Sequence, residues 1–133
     1  MDQSEFIQAV NTKYSKTDND KVLIPVMHEI FEYFRDINNK ISDQNDIKMI
    51  LGFNSKVADF ILIELDENAL SVKRSDEKIE IFFVSKKDNE FTKKYDHLLL
   101  NTLKIYTDNS IITADSNKFD TSQLDEYLKY LLA

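Results

Sequence analysis

The chain has 133 residues and a net charge of −7, with one glycine, one proline and no cysteine. These counts exclude disulfides, thiol nucleophiles and glycine-rich phosphate loops, and the excess of acids argues against nucleic acid or an anionic membrane as the main partner. With 42% apolar residues, a chain of this length can bury a core without a metal or disulfide, and we expect a single α+β domain over 1–133.

The first predicted element is a short helix over residues 4–14. Phe6, Val10 and Tyr14 recur there with helical spacing. Residues 15–21 are a polar break that follows this helix. We therefore expect residues 1–21 to be a loosely attached N-terminal helix and loop.

The strongest periodic signal lies between residues 23 and 41. Apolar side chains recur there every three or four residues, at Leu23, Met27, Ile30, Phe34, Ile37 and Ile41. This spacing predicts a long amphipathic helix that packs on the protein's own sheet, with a short coiled coil as the alternative. Because proline is tolerated best in the first turn of a helix, Pro25 predicts a start near Leu23.

Residues 42–51 carry a weaker pattern that is compatible with a short helix. Ser42 is a suitable cap, and Ile47, Ile50 and Leu51 would form the apolar side. Gly52 would then follow the helix in the left-handed conformation that favours glycine.

The hydrophobic period then changes from helical to alternating. Residues 57–65 are rich in β-formers, and the run 60–63 is too apolar for an exposed strand, which indicates a central strand covered at least in part on both faces. Further strands are predicted over 70–73 and 79–84, with short polar turns between them. The three strands together form an antiparallel meander.

The segment 90–102 favours a helix, although its three consecutive leucines also suit a strand. Two strands over 103–107 and 110–114 are joined at Asp108-Asn109, a pair that tolerates positive φ in a tight hairpin.

The final element is a helix that Asp120 caps. It carries leucines on one face, at Leu124, Leu128 and Leu131. The predicted fold is an α+β domain, in which an antiparallel meander sheet of about five strands has N-terminal helices and a C-terminal helix packed on it.

No catalytic, cofactor or metal site is predicted. His28 lies beside Glu29 and Glu32, but this pattern lacks the second histidine of a zinc-binding helix. The acidic run 115–126 has the length of a calcium loop, yet its sixth position is Asp120 rather than glycine.

A basic and aromatic segment spans residues 86–95. Lysines surround Phe91 and Tyr95 there, at positions 86, 87, 93 and 94. This is a weak form of the pattern that binds single-stranded nucleic acid, and acids interrupt it. A solvated loop and helix face is the better interpretation.

These observations favour a small, acidic, non-enzymatic protein that binds another protein, which the charge suggests is basic. Immunity proteins, inhibitors and chaperone-like proteins have this format. The aromatic side chains that we expect at the partner interface are Phe31, Tyr33, Phe60, Phe82, Tyr127 and Tyr130. The alternatives are a small ligand-binding or hydrolytic domain that uses carboxylates, and a regulatory module associated with nucleic acid.

Three further expectations concern origin, location and self-association. The excess of lysine over arginine, with abundant Asn and Ile, suggests an AT-rich bacterial, phage or plasmid gene. The acidic N-terminus lacks the signal-peptide pattern and no apolar run reaches membrane-spanning length, so a cytoplasmic protein is expected. A homodimer would pair an edge strand across a two-fold axis, with 70–74 and 110–114 as the candidate edges.

Overall fold

The structure, a computed structural model, describes residues 1–41, 48–85 and 96–133. The helices and strands in these ranges are, in chain order, α1 (Gln3–Lys13), α2 (Asp18–Lys40), β1 (Ile50–Phe53), β2 (Phe60–Leu65), β3 (Asn68–Arg74), β4 (Lys78–Ser85), β5 (Asp96–Ile105), β6 (Ile111–Ile112), a 3₁₀ helix over Thr121–Tyr127 and α3 (Leu128–Leu131).

The six strands form one antiparallel sheet in the order β1 to β6, so each strand pairs with its neighbour in sequence. The predicted α+β fold is confirmed: the chain forms an antiparallel meander sheet, two N-terminal helices and a C-terminal helical segment. The sheet has six strands, whereas about five were predicted. The expectation that residues 70–74 form an edge is wrong, because β3 lies between β2 and β4.

The additional strand is β1. The helical interpretation is wrong for residues 48–51, and residues 42–47 lie outside the described ranges. Gly52 pairs with Leu62 of β2 and has no positive φ. A Cβ at this position would meet the Leu62 Cβ at 3.6 Å, an ordinary contact, so the backbone does not demand glycine. The alternation of apolar side chains favours a strand here, because Leu51 and Phe53 pack against the core from one side of it.

The long helix α2 begins five residues earlier than Pro25 and the apolar spacing suggest. Thr17 is its N-cap and forms a capping box with Asp20: each side chain accepts a hydrogen bond from the other residue's backbone N–H. Pro25 therefore lies inside the helix rather than in its first turn. Pro25 and Lys21 are both exposed, so water can reach the Lys21 carbonyl that the missing N–H leaves free.

The helical prediction for 90–102 is wrong where the structure describes that segment. Residues from 96 onward belong to β5, and 90–95 lie outside the described ranges. Leu98 and Leu99 pair with Phe83 and Phe82 of β4. The three consecutive leucines therefore divide between the two faces of a strand, because long-range pairing with β4 overrides the local helical spacing.

The predicted hairpin turn after β5 is confirmed. Asn109 adopts a φ of 63° at its tip, in the left-handed region that Asn tolerates. The Asp108 carboxylate accepts hydrogen bonds from the backbone N–H and hydroxyl of Ser110. These hydrogen bonds hold the pKa of Asp108 below its ordinary value.

One face of the sheet packs against α2 and forms the core. Its fully buried side chains come from the seam of α2 and from alternate positions of β2 to β5: Leu23, Met27, Ile30, Phe34, Ile61, Ile63, Leu70, Val72, Ile79, Ile81 and Leu103. The predicted seam of α2 thus faces the protein's own sheet. Among the described residues, no helix is both long and apolar enough to cross a membrane.

The C-terminal segment closes the same side of the sheet. Asp120 caps it as predicted, accepting a hydrogen bond from the Ser122 backbone N–H at 2.8 Å. Its first part is a 3₁₀ helix rather than an α-helix. The buried amide of Asn68 in β3 donates to the carbonyl oxygens of Leu131 and Ala133, at 3.3 and 3.0 Å. The chain end is therefore tied to the middle of the sheet.

Arg74, the last residue of β3, joins three parts of the fold. Its guanidinium donates to Asp20 of α2 at 2.7 Å and to the carbonyl oxygens of Val57 and Ala58 at 2.6 and 2.9 Å. Only 9% of the Arg74 side chain and 14% of the Asp20 side chain are exposed. Ala58 has a φ of 52°, which is unfavourable for a residue with a Cβ, and Arg74 holds its carbonyl in that conformation.

Removing this guanidinium should destabilise the fold strongly. We expect Arg74→Ala to lower the free energy of unfolding by about 3–5 kcal/mol, because the buried Asp20 carboxylate and two carbonyls lose their donor. Arg35→Ala is the matched control, since Arg35 pairs with Glu32 on the exposed side of α2 and should change stability by less than about 1 kcal/mol. Urea denaturation followed by circular dichroism measures both. Equal effects would contradict the structural role of Arg74.

The same carboxylate predicts a pH dependence. The pKa of Asp20 lies below its ordinary value of 3.8, mainly because the carboxylate accepts the Thr17 backbone N–H and also because Arg74 lies beside it. A lowered pKa contributes stability that is fully present above the ordinary pKa and is lost as the pH falls toward the lowered one. The stability difference between the wild type and Asp20→Asn should therefore shrink between about pH 5 and pH 3. Asp18→Asn, at a fully exposed carboxylate, should show no such change.

Candidate interaction surface

The face of the sheet opposite α2 carries the side chains that alternate with the core residues. We call it the open face and define it by the following residues, which the strand register places on one side: Ile50, Gly52, Phe60, Leu62, Glu64, Ala69, Ser71, Lys73, Lys78, Glu80, Phe82, Val84, His97, Leu99, Thr102 and Lys104. Half of them are apolar, although strands with one solvated face usually carry polar residues there.

The central cross-strand row of the open face runs from β1 to β5. It consists of Gly52, Leu62, Ser71, Phe82 and Leu99, each paired with the next in the register. A hollow of about 210 Å³ lies over β2 and β3. The side chains that line it are Phe60, Leu62, Glu64, Ala69, Ser71, Lys73, Val84 and His97.

The large apolar side chains of this face remain accessible. Phe60, Leu99 and Ile50 are 39%, 48% and 64% exposed. By contrast, α2 and the C-terminal segment pack with the core side chains on the other face, and α1 has no buried residue. Single exposed apolar residues are ordinary, but a contiguous apolar patch is typical of an interaction site.

A buried hydroxyl lies at the floor of the hollow. Ser71 is only 4% exposed, and its Oγ has no hydrogen-bond partner among the described residues. A buried polar group without a partner is destabilising. A partner that places a donor or acceptor above Ser71 would satisfy this hydroxyl.

The charged side chains of the open face lie around its apolar centre: Glu64, Lys73, Lys78, Glu80 and Lys104. The Lys73 ammonium lies 5.4 Å from the centre of the Phe82 ring, and Glu80 is 3.8 Å from Lys78. Acidic side chains are exposed at both ends of the central strands: Asp66 and Glu67 follow β2, and Asp76 and Glu77 follow β3. Acids therefore stand at each hairpin, and at the β3–β4 hairpin lysines of the open face stand beside them.

Two of the six aromatic residues predicted at a partner interface lie on this face. Phe60 and Phe82 are separated by β3 and flank the side chains of Lys73 and Ser71. Phe31 is half-buried on α2 and stacks on Phe53 at 4.7 Å between ring centres.

The three predicted tyrosines contact other parts of the chain. The Tyr33 hydroxyl donates to the Asp125 carboxylate, and its pKa is raised, chiefly by burial and also by that hydrogen bond. Tyr127 is buried, and its hydroxyl accepts from the Asn101 amide at 2.8 Å. Tyr130 packs against Phe83 on the core side. The structure thus brings Phe60 and Phe82 together and places the other four elsewhere.

Sequence reasoning missed several members of the open face. Leu62 and Val84 lie in correctly predicted strands, where apolar residues at both alternating positions indicated two apolar faces. Leu99 was hidden by the helical interpretation of its segment, and Ile50 by that of residues 42–51. The signal for all four was the same, namely apolar side chains at positions that a one-sided sheet would make polar.

Other concavities are more polar. One of about 370 Å³ lies between the α1–α2 connection and the ends of β2 and β3, where Lys13, Lys16 and Lys56 face Asp59 and Asp76. Another, of about 270 Å³, lies between β5 and the C-terminal segment.

Among the described residues, His28 joins no metal-binding group. His28 Nε2 lies 3.0 Å from the Ser55 carbonyl oxygen, and its ring meets Phe53 edge-on. In the described parts of the chain, no three His, Asp or Glu side chains cluster as metal ligands would. The lysines around Phe91 lie outside the described residues.

Comparison with known proteins identifies no relative of this chain. No protein-family model, no curated protein and no solved structure matches the chain.

The unpartnered hydroxyl of Ser71 predicts a stabilising substitution. Ser71→Ala should raise the free energy of unfolding by about 1 kcal/mol, because it removes a buried polar group that has no partner in the isolated protein. Ser75→Ala, at an exposed turn position, should leave stability nearly unchanged. Chemical denaturation of the three proteins is the measurement. A loss of stability on Ser71→Ala would show that the hydroxyl is satisfied.

Proposed function

We propose that this protein is a small, acidic, non-enzymatic protein of bacterial, phage or plasmid origin that binds another protein through its open face. It acts in the cytoplasm as an immunity protein, an inhibitor or a chaperone-like partner. The partner is a basic protein that inserts apolar anchor side chains into the hollow above Ser71.

The observation that carries the proposal is the accessible apolar surface on one side of the sheet. Phe82 and Leu99 are cross-strand neighbours, Leu62 lies beyond Ser71 in the same row, and Phe60 lies in the adjacent row. Placing such side chains in water is unfavourable, so covering them on association provides a driving force. The hollow over β2 and β3, which Phe60, Leu62 and Val84 line together with polar side chains, has room for one anchor side chain of a partner.

The chemistry of the partner follows from the charge around this surface. The chain carries 24 acids against 17 bases, and exposed acids stand at both hairpins that bound the central strands. Complementary charge accelerates the encounter of two proteins and excludes partners of the same sign. A basic protein with apolar or aromatic anchors therefore fits better than an acidic one or a nucleic acid.

A photo-crosslinking experiment can identify the partner and its binding surface together. A photoreactive phenylalanine analogue in place of Phe82 is activated in the native host, and the attached protein is identified by mass spectrometry. The same analogue in place of Phe31, on the α2 side, is the control. Crosslinking of a basic protein from position 82 alone supports the proposal. Equal crosslinking from both positions, or crosslinking of an acidic protein, contradicts it.

The affinity for that purified partner should depend on the open face. Leu99→Ala and Phe82→Ala should each raise the dissociation constant by about 10- to 30-fold, because hot-spot truncations cost about 1–2 kcal/mol or more. Leu132→Ala is the matched control, since Leu132 is 82% exposed near the C-terminus and away from the open face. Isothermal titration calorimetry gives the three constants. Unchanged dissociation constants for both open-face variants would show that the partner does not bind this surface.

The acids at the hairpins predict a kinetic signature with the same partner. Replacing Asp66 and Glu67 by lysine should slow association and weaken its salt dependence, while the dissociation rate changes little. Stopped-flow association at two ionic strengths measures this. A partner whose association rate is independent of salt would contradict the proposed basic character.

A further inference from the structure

The N-terminal helix has an apolar stripe in which no residue is buried. Phe6, Ile7, Val10 and Tyr14 lie along one side of α1, and Phe6 and Tyr14 are 59% and 67% exposed. None of the 11 residues of α1 is buried. An isolated helix of this length is marginal in water, and a stripe of this kind normally packs against another surface.

The open face matches this stripe in length and chemistry. An 11-residue helix is about 16 Å long. The apolar row from Leu62 to Leu99 crosses three strand spacings, or about 14 Å. The hollow above Ser71 in the middle of this row would receive a side chain from the centre of the stripe, such as Val10.

The chain's own α1 is attached on the other side of the sheet. Thr17 caps α2, which packs on the opposite side of the sheet, and Asp20 in the same turn is held by Arg74. Four residue steps separate Lys13 from Thr17, and they span at most about 14 Å. A helix with its side chains is about 10–12 Å across, so helices on opposite faces of one sheet have axes roughly 20 Å apart. The open face of a second copy is under no such restriction.

We propose that two copies of this protein associate by reciprocal exchange, with α1 of each docked on the open face of the other. The proposal goes beyond the partner binding described above and does not depend on it. Because both use the open face, the dimer and the partner complex exclude one another, and the dimer protects the apolar surface until the partner arrives.

The area is sufficient for a stable dimer. The stripe of α1 exposes roughly 350 Å² of apolar side chain, given about 150–250 Å² for each large aromatic. Two docked helices and the surfaces beneath them bury on the order of 1,400 Å², within the range of about 1,200–2,000 Å² of specific interfaces.

Sedimentation of the full chain over a concentration series tests the dimer. The wild type should be dimeric, and Phe6→Asp with Val10→Asp should raise the dimer dissociation constant about 100-fold or more, because two apolar anchors are lost. Gln8→Asp with Thr12→Asp adds the same charge on the opposite side of α1 and should leave that constant unchanged. Since α1 has no buried residue, both double variants should keep the far-ultraviolet circular dichroism spectrum of the folded protein. A monomeric wild type, or equal effects of both variants, overturns the proposal.

A cysteine pair identifies the contact, because the chain has no cysteine of its own. Val10→Cys combined with Ser71→Cys should give a covalent dimer under mild oxidation, and Gln8→Cys combined with Ser71→Cys should not. An intramolecular disulfide in a monomer would show that α1 folds back on its own sheet, which overturns the exchange. A monomeric wild type would overturn the dimer but not the proposed partner binding, and partner binding to another surface would overturn that proposal but not the dimer.

Discussion

The contact on which the rest of this structure depends is the packing of α2 against one face of the meander. The seam of α2, with Met27, Ile30 and Phe34 fully buried, meets the inward side chains of β2, β3 and β4. A single amphipathic helix with a short C-terminal segment covers one face of a six-stranded sheet. The other face then has no helix over it among the described residues, and its apolar side chains remain partly accessible.

Arg74 links the helical layer to the sheet at one end of the fold. By joining the first turn of α2 to the end of β3 and to the loop before β2, it keeps a residue with unfavourable φ in place at Ala58. A buried ion pair that also satisfies two backbone carbonyls has no unfilled polar group, which is the condition under which such a pair is tolerated. It also fixes the start of α2 on the core side of the sheet, where the short connection from α1 arrives.

The proposed functions follow from an imbalance between the two faces. Two small residues are buried on a face that is otherwise accessible, because larger side chains stand on either side of them. Ser71 lies between Leu62 and Phe82, and Ala69 lies between Glu64 and Val84. The result is a hollow with an unpartnered hydroxyl at its floor. Surfaces of this form are stabilised by an occupant that supplies apolar area and one polar atom, whether a basic partner protein or α1 of a second copy.

Much of the fold could be predicted from local patterns. The seam of α2, the meander of β2 to β4, the turn at Asn109 and the cap at Asp120 each depend on neighbouring residues, and each agrees with the structure. The errors occurred where a distant contact decided the outcome. The described part of segment 90–102 became a strand through pairing with β4, and Pro25 was accommodated inside a helix that tertiary packing and a capping box extend.

The sequence by itself determined the fold class, the acidic surface and the order of most elements, because periodicity and turn chemistry are local properties. It also named Phe60 and Phe82 among the candidate interface residues. Only the tertiary structure decided that these two share a face with Leu62, Ser71 and Leu99, while the other four aromatic candidates lie elsewhere. The physical reason is strand register: which side chains become neighbours depends on the pairing of strands far apart in sequence, and no local pattern specifies that pairing.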